Sequence, residues 1–255
     1  FQGLEFIYEK SLFPELEYIF RHTLTQEVAY NSLLLKRRKE IHERIGNAIE
    51  ELYPDRLEEF YEVLAHHYSR SENSEKAYQY LLSSMAKTGL SYSLWEAFHF
   101  GKEAINVLNN MPQTDENKVN GINSRLVLAM IMQGLSYPED SLQILQEGER
   151  LSKELGDERS LVHFSSSIGL CCSHTGDLLQ GVKYAENTFQ GAEKLEDIEL
   201  LVPIGWDLCQ VYYWVGEFSK IVEIAPKVIA SLEETQREYE YFGKAFNPYS
   251  ALLAT

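Results

Sequence analysis

Apolar and small residues follow a long period along most of this 255-residue chain. An aliphatic residue followed directly by a small one returns every 40 residues, at Leu128-Ala129, Ile168-Gly169 and Leu208-Cys209. Twelve positions after each small residue we expect a second helix to start, with its own pair of packing residues: Ser141 and Leu145, Gly181 and Ala185, Ile221 and Ala225. A fixed period of this length is typical of stacked helical hairpins, because one hairpin cannot bury its apolar face alone.

Short polar breaks separate the apolar stretches from residue 57 onward. Several consist of a glycine followed by an acidic residue, as at Gly156-Asp157, Gly176-Asp177 and Gly216-Glu217. Glycine is favoured just past the C-terminus of a helix, and an acidic residue is favoured at the next N-terminus. The pattern predicts an all-α fold, a right-handed superhelix (α-solenoid) of helical hairpins over residues 57–255. Because the last segment shows no polar capping helix, we expect this array to be truncated at its C-terminus.

The first 56 residues follow a different pattern. Aromatic and β-branched runs at residues 6–8 and 18–20 flank Phe13-Pro14, which predicts a β-hairpin. Helices should follow, the last of them marked by apolar residues at spacings of three and four: Ile41, Ile45, Ala48, Ile49 and Leu52. Two strands alone are only marginally stable. We therefore interpret residues 1–56 as the winged-helix-like remnant of a preceding domain, with connecting helices.

The spacing of small and aromatic residues resembles the tetratricopeptide repeat (TPR). Leu64, Ala65 and Tyr68 match the first helix of such a repeat, and Ala77 and Leu81 match the second. Small residues let two helices approach closely, while the aromatic side chain fills the groove beside them. The period of 40 exceeds the usual value of about 34 residues, which predicts a variant with long helices.

The TPR resemblance also implies a binding surface. In that pattern, positions of the first helix beside the small residue face the concave groove of the superhelix. Carried onto this chain, they form a candidate concave partner-binding surface of nine residues: Leu126, Met130, Gln133, Ser166, Leu170, Ser173, Trp206, Gln210 and Tyr213. Their aromatic, aliphatic and amide side chains suit an apolar peptide or helix of a protein partner, or of another domain of the same polypeptide. The alternative is that several of them only pack between helices.

Two strings near the N-terminus are similar to a junction in large bacterial signalling proteins: EYIFRHTLTQEVAYNSLLLKRRKEIHERIGNAIE and LEEFYEVLAHHYSRSENSEKAYQYL. Those proteins join an adenylate/guanylate cyclase domain to an AAA-type (STAND-like) ATPase and a C-terminal TPR array. The most specific matching stretch comprises Phe20, His22, Leu24, Gln26, Glu27, Val28, Ala29 and Tyr30. The resemblance implies a non-catalytic scaffold, the partner-sensing arm of a cytoplasmic cyclase/ATPase. The alternative is the sensor arm of a STAND-type ATPase that regulates transcription with DNA.

Charge bears on the choice of partner. The formal net charge of −16 argues against nucleic acid as the main partner, because neutralisation of phosphates dominates such binding. Lys36, Arg37, Arg38 and Lys39 form the one basic cluster of the sequence. We interpret it either as a solvated turn or as a patch that contacts an adjoining domain.

Cysteine usage and hydropathy bear on the compartment. Three cysteines, two of them adjacent, do not make a disulfide framework and favour a reducing, cytoplasmic environment. No run approaches the roughly 18 apolar residues of a membrane span, so we expect no membrane partner.

No motif of the sequence supports catalysis, a cofactor or a metal. A glycine-rich phosphate loop ending in Lys-Ser/Thr is missing. His42-Glu43 begins like a zinc-protease motif, but Gly46 stands where the second histidine is required. His66-His67, and Cys171-Cys172 with His174, lack the paired spacing of a zinc site, and we expect them to pack structurally. The sequence therefore predicts a chain that is not itself an enzyme.

Overall fold

A small sheet opens the fold. The structure is a computed structural model that describes residues 7–11 and 17–255. Strand β1 (Ile7–Ser11) pairs with β2 (Glu17–Phe20) in antiparallel register, which confirms the predicted β-hairpin. Phe6, Phe13 and Pro14, on which that prediction partly rested, lie outside the described residues.

Two compact units divide the chain, residues 1–83 and residues 84–255. In the first unit, the sheet is followed by four helical segments: α1 (Thr23–Ser32), α2 (Leu35–Leu52), a 3-10 helix (Pro54–Phe60) and α3 (Tyr61–Tyr68). Helix α4 (Ser74–Leu90) comes next. The predicted domain boundary between residues 56 and 57, and the winged-helix character of the segment before it, stay predictions.

The second unit is a stack of helices. In chain order these are α5 (Leu94–Asn109), α6 (Asp115–Gly134), α7 (Ser141–Leu155), α8 (Glu158–His174), α9 (Leu178–Leu195), α10 (Ile198–Val215), α11 (Phe218–Glu234) and α12 (Pro248–Leu253). Consecutive helices from α5 to α12 pack against one another, and α8 also packs against α6 and α10. This arrangement confirms the all-α fold of stacked TPR-like hairpins. No helix of the described residues is long and apolar enough to cross a membrane.

Polar side chains define where the helices begin. The side chains of Asp157, Asp177 and Asp197 each accept a hydrogen bond from a backbone N–H of the helix that follows. Such caps satisfy N–H groups that have no partner within the helix. Gly156 and Gly216 end the preceding helices in the left-handed conformation, with φ of 67° and 80°. The glycine–acid breaks of the sequence therefore sit at the turns that they predict.

The predicted start of the second helix is correct for α7, which begins at Ser141. It is wrong for the next two hairpins, since α9 begins at Leu178 and α11 at Phe218, each three residues earlier than expected. The reason is the cap: Asp177 ends the turn and starts α9 at the next residue. Gly181 instead lies where α8 and α9 are in close contact.

The small residues of the 40-residue period lie where neighbouring helices touch. A Cβ atom added at Gly181 would lie 2.0 Å from Ser173 Oγ and 3.0 Å from the carbonyl oxygen of Gly169. Ala129 and Cys209, the equivalents of Gly169 in the adjacent hairpins, are also buried. The period therefore marks helix–helix contacts, around which the largest fully buried side chains of the second unit assemble: Ile122, Leu128, Met132, Leu145, Phe164, Ile168, Leu200, Ile204 and Leu208.

Candidate interaction groove

A groove of about 590 Å³ lies along the first helices of three successive hairpins, α6, α8 and α10. Its walls are mainly apolar, and a non-helical segment from the turn between α11 and α12 closes one side. We call residues 242–246 of that turn the strap. All the residues that form the groove belong to the second unit.

Seven of the nine residues predicted for the binding surface line this groove: Leu126, Met130, Gln133, Ser166, Leu170, Trp206 and Gln210. Their exposure differs widely. Met130 has 64% of its surface exposed, whereas Leu170 is buried at the base. The helical spacing therefore identifies one continuous face across α6, α8 and α10.

The structure places the other two predicted residues elsewhere. Ser173 is buried where α8 meets α9, and its hydroxyl donates a hydrogen bond to the carbonyl of Gly169 at 2.9 Å. Tyr213 is exposed on α10, where its ring meets the ring of Phe218 edge to face at 5.9 Å. Both predictions place the residue on the correct helix but outside the groove.

An ion pair within the groove was not predicted from the sequence. Asp207 on α10 is 7% exposed, and its carboxylate accepts hydrogen bonds from Ser166 Oγ at 3.0 Å and from Lys244 Nζ at 2.6 Å. Lys244 belongs to the strap, and its side chain is also largely buried. A close, mostly desolvated pair of this kind is a strong electrostatic interaction.

An aromatic contact accompanies the ion pair. The rings of Trp206 and Phe246 lie 5.0 Å apart and are inclined at 58°. The strap is held from the flanking turn as well, because Arg237 lies over the ring of Phe242 at 4.8 Å and pairs with Glu199. The strap therefore contributes one cation, Lys244, and two aromatic residues, Phe242 and Phe246, to the lining of the groove.

His163 is the other ionisable group of the lining. Burial is the main cause that lowers its pKa, with a further lowering by nearby Arg159. A lowered pKa favours the neutral imidazole at neutral pH. Among the residues that line the groove, all of them described, Asp207 is then the one carboxylate and Lys244 the one lysine or arginine.

The basic cluster lies on the first turns of α2, in the first unit. Arg37 pairs with Glu40 at 3.0 Å, and Lys39 lies 3.5 Å from Glu72. Arg38 donates hydrogen bonds to the backbone carbonyl groups of Leu33 and Asn31. Lys36 is exposed. The patch as an interdomain contact stays a prediction, and local partners already engage three of its four side chains.

The cysteines are buried and unreactive in character. Burial raises the pKa of the Cys171 thiol to about 11 and that of Cys209 to about 12, and it also raises the pKa of Cys172. A thiol must lose its proton to act as a nucleophile or to bind a metal. Within the described residues, no three or more His, Cys, Asp or Glu side chains form a group that could hold a metal ion.

The histidines that were considered as metal ligands in the sequence pack against aromatic rings and against each other. His174 lies 4.5 Å from the ring of Trp214. His67 Nδ1 is 2.9 Å from His42 Nδ1, and His42 Nε2 is 3.1 Å from the hydroxyl of Tyr30. Burial lowers the pKa of both His42 and His67, the latter to about 4. At this distance one neutral ring can donate a hydrogen bond to the other, whereas two charged rings would repel each other.

Comparisons with known proteins agree with this architecture. No protein-family model matches the chain, and no curated protein matches it in sequence. A crystal structure of TPR-like repeats assigned to a kinesin light chain of Podosopora anserina superposes with a TM-score of 0.57 at 14% identity. That superposition covers 80% of this chain and 96% of the repeat protein.

Two further structures have the same fold. Aspartyl phosphate phosphatase F from Bacillus subtilis matches with a TM-score of 0.54 at 12% identity, and a Rap protein complexed with competence and sporulation factor matches with 0.53 at 12%. Each match covers 84% of this chain, which spans 56% and 60% of those two proteins. At such identities the similarity shows the fold alone.

Proposed function

We propose that this chain is a non-catalytic interaction module whose groove binds an extended or helical segment of a protein partner, or of another domain of the same polypeptide. The main observation in support of this proposal is the groove itself, which has a volume of about 590 Å³, a mainly apolar lining and one buried carboxylate. Grooves that bury a few aromatic and aliphatic anchors beside a small number of polar groups are typical sites for peptide segments.

The fold and the chemistry of the site support the proposal. A Rap protein of the same fold is complexed with competence and sporulation factor in its crystal structure, so this architecture can carry a bound factor. The thiols of this chain, with their raised pKa values, favour no covalent catalysis.

We extend the proposal to the wider protein. The strings near the N-terminus resemble those of cyclase–ATPase–TPR proteins, which supports the proposal that this chain is a regulatory arm of such a protein. Regulation then requires that the bound segment favour one state of the nucleotide domains over another. Nucleotide turnover by the complete polypeptide should change when residues 57–255 are deleted, and unchanged turnover would contradict this extension.

A peptide library tests the groove directly. Random peptides displayed on phage would be selected on the chain, and their affinities measured against two variants. Met130→Glu places a charge in the groove, and Val222→Glu places one on α11 outside it. Both positions are exposed, at 64% and 73%, so neither variant should disturb folding.

The selected peptides should bind Met130→Glu about tenfold more weakly, a loss of about 1.4 kcal/mol, and Val222→Glu as tightly as the wild type. Equal effects of the two substitutions, or a selection that yields no binding peptide, would contradict the proposed function.

A further inference from the structure

The strap occupies the groove as a ligand would. It lies in the turn between Glu234, the last residue of α11, and Pro248, the first of α12, with no helix of its own. Phe242 and the four residues that follow it all line the groove. Two of its side chains anchor it: the cationic Lys244, which pairs with Asp207, and the aromatic Phe246, which contacts Trp206. They are two positions apart in the sequence.

The cationic anchor, Lys244, pairs with a buried carboxylate that a neighbouring helix also contacts. Asp207 is buried in the wall of α10, and Ser166 of α8 holds its second carboxylate oxygen at 3.0 Å. Without Lys244, this carboxylate would lie in a mainly apolar groove that holds no other lysine or arginine. A buried charge without an opposite charge beside it is costly. Any segment that displaces the strap is therefore favoured when it supplies a cation of its own.

The aromatic anchor is accessible to a competitor. Phe246 is 39% exposed even while it contacts Trp206. Within the strap, Phe242 has a backbone φ of 48°, a left-handed conformation that residues other than glycine rarely adopt. The strap is thus anchored at two points, of which Phe246 stays partly exposed, and its backbone is not relaxed throughout.

We propose that the groove recognises a peptide segment carrying a lysine or arginine two residues before an aromatic residue, and that the strap fills this site until such a segment replaces it. The inference rests on the proposed function, since it names the partner chemistry of the same groove. Asp207 binds the cation and Trp206 the aromatic ring. Because the strap is tethered, it competes at a high effective concentration and weakens the apparent affinity of any partner.

The probe is a fluorescent peptide with the sequence of residues 241–247, Tyr-Phe-Gly-Lys-Ala-Phe-Asn, capped at both ends and followed by anisotropy. A second probe replaces its lysine by uncharged norleucine. Both are titrated into the full chain, into Phe246→Ser, and into the double variant Lys244→Ser/Phe246→Ser. The matched control is Phe218→Ser/Lys220→Ser, which removes an aromatic contact and a lysine–carboxylate pair outside the groove.

The lysine peptide should bind the double variant at least about tenfold more tightly than the wild type or the control. Phe246→Ser alone should lie between them, and its exposed position makes a folding defect unexpected. The norleucine peptide, and the addition of Asp207→Asn to the double variant, should each weaken binding by about tenfold or more.

Equal affinity of the wild type and the strap variants would overturn the role of the strap. Equal affinity of the two peptides would overturn the cation site. If either occurs while library peptides still lose affinity on Met130→Glu, the inference fails and the proposed function stands. If the strap variants bind neither the probes nor the library peptides, both fail.

Discussion

Gly148, in the middle of α7, is the position where close packing between hairpins can be tested most sharply. A Cβ atom there would lie 2.4 Å from Cε1 and from Cζ of Phe164 on α8. Carbon atoms pack best at about 3.5–4.0 Å, so the ring would have to move by about 1 Å. Phe164 is fully buried, with 0% of its surface exposed, and has no free space to move into.

Two opposing effects set the size of the change caused by Gly148→Ala. Alanine stabilises a helix by about 1 kcal/mol relative to glycine. Overpacking of a filled core costs about 1–3 kcal/mol. We expect the cost to dominate, so that the free energy of unfolding falls by about 1 kcal/mol. Gly191→Ala on α9 is the matched control, because no atom outside the adjoining backbone of its own helix lies within 4 Å of the added Cβ. That variant should gain about 1 kcal/mol.

Urea denaturation followed by far-UV circular dichroism measures both variants. Adding Phe164→Leu to Gly148→Ala should cost less than Phe164→Leu costs in the wild type, because the smaller side chain relieves the contact. If Gly148→Ala and Gly191→Ala stabilise the chain equally, the reasoning about the contact between α7 and α8 is refuted.

Three further predictions concern titration, opening of the strap and thiol reactivity. The pKa of His67 is lowered to about 4 in the fold, whereas its pKa in the unfolded chain is near 6.5. The free energy of unfolding should therefore be highest above about pH 6.5 and should fall as the pH drops toward 4, because the unfolded chain takes up the proton first. Between about pH 7.5 and about pH 5 the wild type should lose about 1 kcal/mol more than His67→Gln, allowing for solvent screening at a partly accessible ring; equal losses in urea titrations would contradict this. Lys244→Met and Asp207→Asn should each speed chymotrypsin cleavage within the strap about tenfold, because loss of the ion pair favours opening of the strap. An unchanged cleavage rate would show that the pair does not hold the strap. Cys209 should resist a thiol reagent at about pH 8 until the chain unfolds, because burial keeps the thiol protonated and covered; rapid labelling of the native chain would contradict this.

The repeat architecture was predictable because its causes are local and periodic. Each hairpin needs a small residue at the crossing point of its helices and a glycine or acidic residue at its turn. Both recur visibly, as Gly169 and Asp177 show. The exact starts of α9 and α11 were missed because the small residue marks a crossing of helices rather than a terminus.

The groove was predictable only as far as the repeat extends. Positions beside the crossing residue share one face of α6, α8 and α10, and seven of the nine lie together. Ser173 follows Ser166 by seven residues and therefore lies on nearly the same face of α8. It sits at the end of that helix, however, where its side chain packs against Gly181 of α9.

The strap lies beyond the periodic part of the chain, which is why its contacts were not predicted. Lys244 follows Asp207 by 37 residues, in a turn that has no counterpart in the other hairpins. No sequence spacing connects a single lysine in such a turn to one buried carboxylate. The three-dimensional path of residues 235–247 is what brings them together.

The central claim is that the groove of α6, α8 and α10 binds a partner segment. The most direct measurement is the indole N–H spectrum of the three tryptophans in Phe246→Ser, recorded by NMR while a peptide selected from the library is added. Trp206 lines the groove, whereas Trp95 and Trp214 do not. We predict that the Trp206 signal shifts to saturation while the other two stay in place. A stationary Trp206 signal, or equal shifts of all three, would contradict the claim.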